Sequence, residues 1–216
     1  MNSGWLTTVR AILELLYFIA GIVIAGAAIW GLQQIRLTKR IASINAKRES
    51  LKFAAERCQY FAEQVAILEP PLLEEHKKLG LTLLATNVEF EISDGEIAIK
   101  SAWDQRLMAQ QYAQITRNLT AYMNFLEAFA IPFAAGVADD ELGFQETATA
   151  FCGCVRRVIL AIVLIRKAGV RYESCTNLYD CWSKRLLAHQ LRKNIKDLES
   201  KIKTTPEPKI KPMDSF

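Results

Sequence analysis

Histidine is nearly missing from this chain: His76 and His189 are the whole complement among 216 residues. That scarcity removes the commonest proton shuttle near neutral pH and most nucleophile–histidine arrangements. No Gly-rich phosphate loop, G-x-S-x-G elbow or H-E-x-x-H run is present, so nucleotide-binding, α/β-hydrolase and metalloprotease chemistries lack their signatures. Cysteine is present but badly placed for a metal. Cys58, Cys152, Cys154, Cys175 and Cys181 include a CxC pair whose thiols would diverge by about 200° on a helix, and no knuckle spacing surrounds them. An odd count also resists a complete disulfide scheme, so free thiols in a reducing compartment are expected. The residues therefore assign no catalytic, cofactor-binding or metal-ligating group, and a non-enzyme is expected.

Charge is missing from one long stretch. "LLYFIAGIVIAGAAIWGLQQI", residues 15–35, has none over 21 positions. As a helix it reaches about 30 Å, the thickness of a bilayer's hydrocarbon layer. Tyr17 and Trp30 lie near its ends, where amphipathic rings favour the headgroups. A core helix of a small domain seldom stays apolar on every face for so many turns. A signal peptide with a cut near residues 25–28 is the other competitor. Against cleavage stands the basic flank Arg36, Lys39, Arg40, Lys47 and Arg48, five cations before the first acid at Glu49.

The spanning reading follows, and the flank gives it a direction. Short basic segments beside a span tend to stay in the cytoplasm, so the N-terminus is expected outside and the body inside. The same five side chains are the expected contacts with anionic lipid headgroups. Within the span, Gly21, Ala25 and Ala28 share a helix face, and Gly31 follows Ala27 at the same spacing of four. Such small residues let two backbones approach, which makes Gly21, Ala25, Ala28 and Gly31 the expected self-association face and a homo-oligomer an expected state.

The remainder reads as mainly α. The expected layout is a short N-terminal segment over 1–14, a transmembrane helix over 15–35, a juxtamembrane helix over 36–69, a helical cytoplasmic domain over 70–203 and a disordered tail over 204–216. Leu37, Ile41, Ile44, Arg48, Leu51, Ala55, Cys58, Ala62 and Val65 recur at threes and fours, a stripe expected to dock on its own domain and to stop at Glu69-Pro70-Pro71. A second helix is expected over 71–84. In "NVEFEISDGEIAIK" the alternation of Val88, Phe90 and Ile92 before an Asp94-Gly95 step reads as a small β-hairpin over 88–99, though a helix starting at Asp94 is the competing reading.

Helix is then expected over 101–137, ended or kinked at Pro132. Another is expected to be capped by Asp139 or Asp140 and to stop at Gly169. Its "VILAIVLI", residues 158–165, is apolar all round but only about 12 Å long, too short to span and suited to the middle of a bundle. A last helix is expected over 177–203. Its basic residues, among them Arg192, Lys193 and Lys196, read as a solvated face; nucleic acid is disfavoured because neither a dense basic face nor an aromatic platform accompanies them.

The polar residues that stand out lie in "YMNFLEAFAIPFAAGVADDELG". Asn124 and Glu127 sit among aromatics, and Glu127 needs a partner, with Arg117 or Arg156 as the expected cations. Asp139 and Asp140 add an acidic spot that a helix cap also explains. Asn124, Glu127, Asp139 and Asp140 form the candidate surface for an unidentified cytoplasmic or membrane protein partner.

Around Asn124, Phe125, Glu127, Ala130, Gly136 and Asp140, and onward through Phe151 and Arg157, the chain resembles an uncharacterised bacterial family with one N-terminal transmembrane helix and a helical cytoplasmic domain. It departs from that pattern at Ala134 and Ala135 and in the CxC. The resemblance implies a single-pass protein of the bacterial inner membrane and carries no activity with it. Comparable anchored helical proteins accompany antiphage systems, so two functions are expected to compete: a membrane-anchored scaffold or interaction module, and a self-associating effector that perturbs the bilayer.

Overall fold

The computed structural model describes residues 4–84, 88–93 and 95–204. Of the expected tail over 204–216, Thr204 belongs to the last helix and the rest lies outside them, as does Asp94 of the expected hairpin. Six elements follow in order: α1 (Gly4–Lys78), β1 (Phe90–Ser93), β2 (Glu96–Ile99), α2 (Gln105–Ala134), α3 (Asp140–Lys167) and α4 (Glu173–Thr204). The fold is mainly α-helical, with a long apolar N-terminal helix and one small antiparallel hairpin. It divides into two compact units, Met1–Glu49 and Ser50–Phe216.

The first unit is the opening part of α1. Among the described residues its large apolar side chains are exposed: Tyr17 is 79% exposed, Ile22 73% and Trp30 75%. Leu37, Ile41 and Ile44 are exposed as well.

In the second unit α1 continues, and here the structure corrects two expectations. The docking stripe is Ala54, Cys58, Phe61 and Leu72, with Val65 and Leu68 partly covered, whereas Ala55 and Ala62 are exposed. The extrapolated stripe drifted around the helix; the true one holds its register on Phe61. Nor does the helix stop at Pro70 and Pro71, which lie inside α1. The carbonyls these prolines leave without a donor belong to Ala66 and Ile67, at exposed positions where water can replace the lost bonds, while Leu72 is fully buried one turn after Leu68. Burial on one side therefore outweighs the missing donors on the other.

The stop comes at Gly80. Gly80 has φ +59° and donates to the Lys77 carbonyl at 3.1 Å, and Leu81 donates to that of His76 at 3.1 Å. These two bonds make a Schellman ending, which requires the left-handed backbone that glycine adopts without strain. The expected second helix over 71–84 is thus the end of α1 plus a turn.

The hairpin reading of residues 88–99 holds. Phe90 pairs with Ile99 and Ser93 with Glu96, and Gly95, just before β2, has φ +80°. Alternation sends Ile92 inward, 7% exposed. The Phe90 ring lies 5.5 Å from that of Tyr179 in α4.

Asp104 caps α2 by accepting the Arg106 and Leu107 amides at 2.9 and 3.2 Å, which sets its start later than the expected 101. Pro132 lies inside α2, two residues before its end. Asp139 caps α3 through the Leu142 amide at 2.9 Å, as expected of that pair of acids. Gly169, at φ +96°, follows its end. The apolar run of α3 is central: Val158, Ile159 and Ala161 are 0% exposed. α4 starts at Glu173, earlier than the expected 177, for a reason that lies in α2.

An aromatic cluster joins all four helices. Phe61 of α1 stands 4.5 Å from Phe129 of α2, centroid to centroid, Phe129 stands 5.4 Å from Phe151 of α3, and Phe151 lies 5.5 Å edge-on to Trp182 of α4. Rings in tilted and edge-to-face contact gain electrostatic attraction in addition to burial.

Candidate functional site

The four polar residues singled out in α2 and α3 are brought to the seams between helices. Asn124 Oδ1 accepts the Tyr172 hydroxyl at 2.9 Å. Glu127 meets neither Arg117 nor Arg156 through its hydrogen bonds; its two oxygens accept the backbone amides of Ser174 at 3.1 Å and Cys175 at 2.8 Å. These are orphan donors of the first turn of α4, where the helix dipole favours an anion. This is why α4 begins at Glu173. Asp139 is spent on its cap. Asp140 accepts the indole N–H of Trp182 at 2.7 Å and pairs with Arg185. Arg185 also donates to Glu141 at 2.6 Å and stacks 3.9 Å over the Phe144 ring. Asn124, Glu127 and Asp140 hold elements of the body together and Asp139 holds its own helix start, so a partner at this face would meet groups already engaged.

Sequence reasoning missed a second polar seam. Glu69 of α1 forms an ion pair with Arg157 of α3 and accepts the Tyr122 hydroxyl of α2 at 3.3 Å. The carboxylate is 18% exposed and the guanidinium 24%. One carboxylate thus ties three helices. The signal available was its position one turn before Leu72 and one after Val65, on the edge of the true stripe, but the prolines beside it pointed to a stop.

Four of the five thiols are buried or partly buried. Burial raises the pKa of Cys58, Cys154 and Cys175, and Cys152 is pushed up to about 12. Cys181 is exposed. Among the described residues no three histidine, cysteine or carboxylate side chains are placed to share one ion.

The open concavity of the body lies between the hairpin, the end of α3 and the start of α4, with a volume of about 1380 Å³. Its charges are mixed and largely satisfied within the wall. Arg171 pairs with Glu173 at 3.1 Å and Lys184 with Asp180 at 2.6 Å. Arg166 donates to the Gly95 carbonyl at 2.5 Å and to Thr176 at 2.7 Å, fastening the hairpin turn to α4. Val163 and Tyr179 supply apolar floor. Balanced cations and acids around an apolar strip suit a polypeptide surface better than a small anion.

On the first unit, the flank cations Arg36, Lys39, Arg40, Lys47 and Arg48 are all exposed. Gly21, Ala25 and Ala28 are exposed and Gly31 is half-buried. A methyl group added at Gly21 or Gly31 would meet nothing within 4 Å, so the small-residue face is unoccupied within one chain. The 18-residue window of highest mean hydropathy in α1 reaches 2.4 with none of it buried, whereas the corresponding window of α3, at 2.0, is 67% buried. Composition alone passes both; burial separates the core helix from the one left bare.

No protein-family model, curated protein or solved structure matches this chain. The likeness to a bacterial family carried by the segment around Asn124 and Glu127 therefore gains no support beyond the shared architecture of an apolar N-terminal helix and a helical bundle.

Proposed function

We propose that this protein is a membrane-anchored scaffold or protein-interaction module, held by one span in the inner membrane of a bacterium with its helical body in the cytoplasm. The observation that carries the reading is the uncharged stretch of α1 over residues 15–35, long enough to cross the hydrocarbon layer and uncovered within its unit. Water would charge about 25 cal/mol for each Å² of that apolar surface left bare, and lipid relieves it. The basic flank supports the orientation and places five cations at the inner leaflet. The mixed groove beside the hairpin is the surface offered to a protein partner.

The unoccupied Gly21–Ala25–Ala28 face favours a second reading, a self-associating effector that perturbs the bilayer. Its uncharged walls do not suit a selective ion pore, which needs polar groups or carbonyls facing the ion.

The test is extraction of cell membranes at alkaline pH, with a reporter fused after Phe216. The anchor reading expects full-length chain in the pellet and reporter activity in the cytoplasm. Changing Val23 and Ile24 to Arg adds about 2.5–3.5 kcal/mol of insertion cost each and should release the chain. Full-length wild-type chain in the alkaline supernatant would refute the anchor. To separate the two functions, Gly21→Leu should leave partner recovery intact for a module and abolish a membrane phenotype for an effector, while Arg171→Glu in the groove should do the reverse.

A further inference from the structure

The second half of α4 buries no side chain among the described residues. Trp182 is fully buried and Leu186 still packs against the core, but every residue over 191–203 is exposed. Thirteen residues make a helix about 20 Å long, at the length where an isolated helix is marginal in water. This one nevertheless bears Leu191, Ile195, Leu198 and Ile202, between 52% and 74% exposed. With Leu187 before them, these side chains fall within about 80° of the helix circumference.

We propose that this stripe is the seam of a two-stranded parallel coiled coil with a second copy of the chain. Three features select that occupant. A helix lying on a globular core or on lipid presents an apolar face of about 100° or more, and the narrower stripe is that of a coiled-coil seam. Its order is specific: Ile195 and Ile202 fall at heptad position a with Ala188 before them, and Leu191 and Leu198 fall at d, the distribution of β-branched and γ-branched side chains that favours two parallel strands. The flanks agree. In parallel register, Asn194 faces Glu199 of the second copy and Leu187 faces Arg192, so no like charges meet where both residues are described. Glu199 also speaks against a bilayer as the occupant, because it lies about 40° round from Ile195 and would be drawn into anionic headgroups with it.

The seam is short, little more than two heptads. The parallel pairing rests on the anchor reading, since chains confined to one membrane by the same end meet at a raised effective concentration and share a direction. It adds to that reading a specific self-association surface in the body, distinct from the span.

The test is cysteine crosslinking of the full chain in native membranes, in a Cys181→Ser background that removes the exposed thiol. Leu198→Cys should oxidise to a covalent dimer at least 10-fold faster than Lys193→Cys, which lies on the far side of the same helix. Adding Ile195→Lys should suppress the Leu198→Cys dimer by 10-fold or more while leaving the helical content and melting of the body unchanged. Equal rates at the two positions would overturn the proposal. So would a dimer formed only between chains carrying Leu191→Cys and chains carrying Ile202→Cys, the antiparallel result, or loss of Leu198→Cys labelling on adding phosphatidylglycerol vesicles, which would make lipid the occupant. Alkaline extraction of the same membranes separates the two failures. Chain that stays in the pellet without crosslinking defeats the seam alone; chain released to the supernatant defeats the anchor.

Discussion

The carboxylate of Glu127 in α2 and the backbone amide of Cys175 in α4 are 2.8 Å apart, and the other oxygen of Glu127 holds the neighbouring amide of Ser174. A helix terminus is thus capped by a residue 48 positions away, in place of the local Ser, Thr or Asp that usually serves. The bond also fixes where α4 starts relative to α2, and with it the placement of Trp182 in the aromatic cluster.

Glu127→Ala should accordingly destabilise the body by about 1–2 kcal/mol, through two lost charge-assisted bonds at the positive end of a helix dipole. Glu127→Gln keeps an acceptor oxygen but no charge, and should cost about half as much. Urea denaturation of the full chain in detergent, followed by Trp182 fluorescence, measures both. If Glu127→Ala leaves the midpoint unmoved, the cap does not matter to the fold.

At the Glu69 seam the two substitutions of a pair should be unequal to their double. Arg157→Met alone leaves a largely buried carboxylate with the Tyr122 hydroxyl and the weak Cys154 thiol as donors, and should cost about 1–3 kcal/mol, held below the fully buried value by the residual exposure of both groups. Joining it with Glu69→Leu should recover part of that loss. A double-mutant cycle from the same urea curves gives the coupling, and strictly additive costs would show that the two residues do not interact.

Gly143 supplies a packing test. A Cβ there would stand 2.3 Å from the Phe133 ring, which is itself wedged beside Phe129 and Trp182 at 5.1 and 5.5 Å. Glycine in a helix normally gains from replacement by alanine, by about 1 kcal/mol. Here the overlap should reverse the sign, so Gly143→Ala is expected to destabilise by about 1–3 kcal/mol. Gly153→Ala, with open space around it, is the control and should stabilise.

His76 gives a pH dependence. Its Nε2 accepts the Leu84 amide at 3.2 Å, a role open only to the neutral ring, and desolvation lowers its pKa from the ordinary 6.5. The unfolded chain therefore binds the proton more readily than the folded one. Stability contributed by this group is complete above pH 6.5 and declines as pH falls from there through the depressed folded value. His76→Gln keeps an acceptor and removes the titration, so the difference between wild type and variant in urea midpoint should appear only below that pH. A constant difference from pH 5 to pH 8 would contradict it.

Several elements were legible from residue order because their causes are local. The hairpin follows from period-two alternation around Asp94-Gly95, the start of α3 from Asp139, and its stop from Gly169. Each depends on the backbone preference of a few adjacent residues. Pro70 and Pro71 misled for the complementary reason: a proline's penalty is local, but whether a helix tolerates it depends on what Leu72 buries against and on whether the freed carbonyls face water. The docking stripe of α1 drifted from Cys58 to Ala55 and Ala62 because alanine marks no face by itself; Phe61, Phe125, Phe129 and Phe151 chose it by meeting one another.

Sequence by itself determined the long charge-free helix, the cations that follow it, the mainly helical body and the central position of the run over residues 158–165, since each is set by composition and period along a single strand of chain. Only the tertiary structure decided that Glu127 caps a distant helix, that Glu69 joins three, and that Leu191, Ile195, Leu198 and Ile202 of α4 are left exposed. Those are relations between residues tens of positions apart, and no periodicity records which distant surface a polar group or an apolar stripe will find.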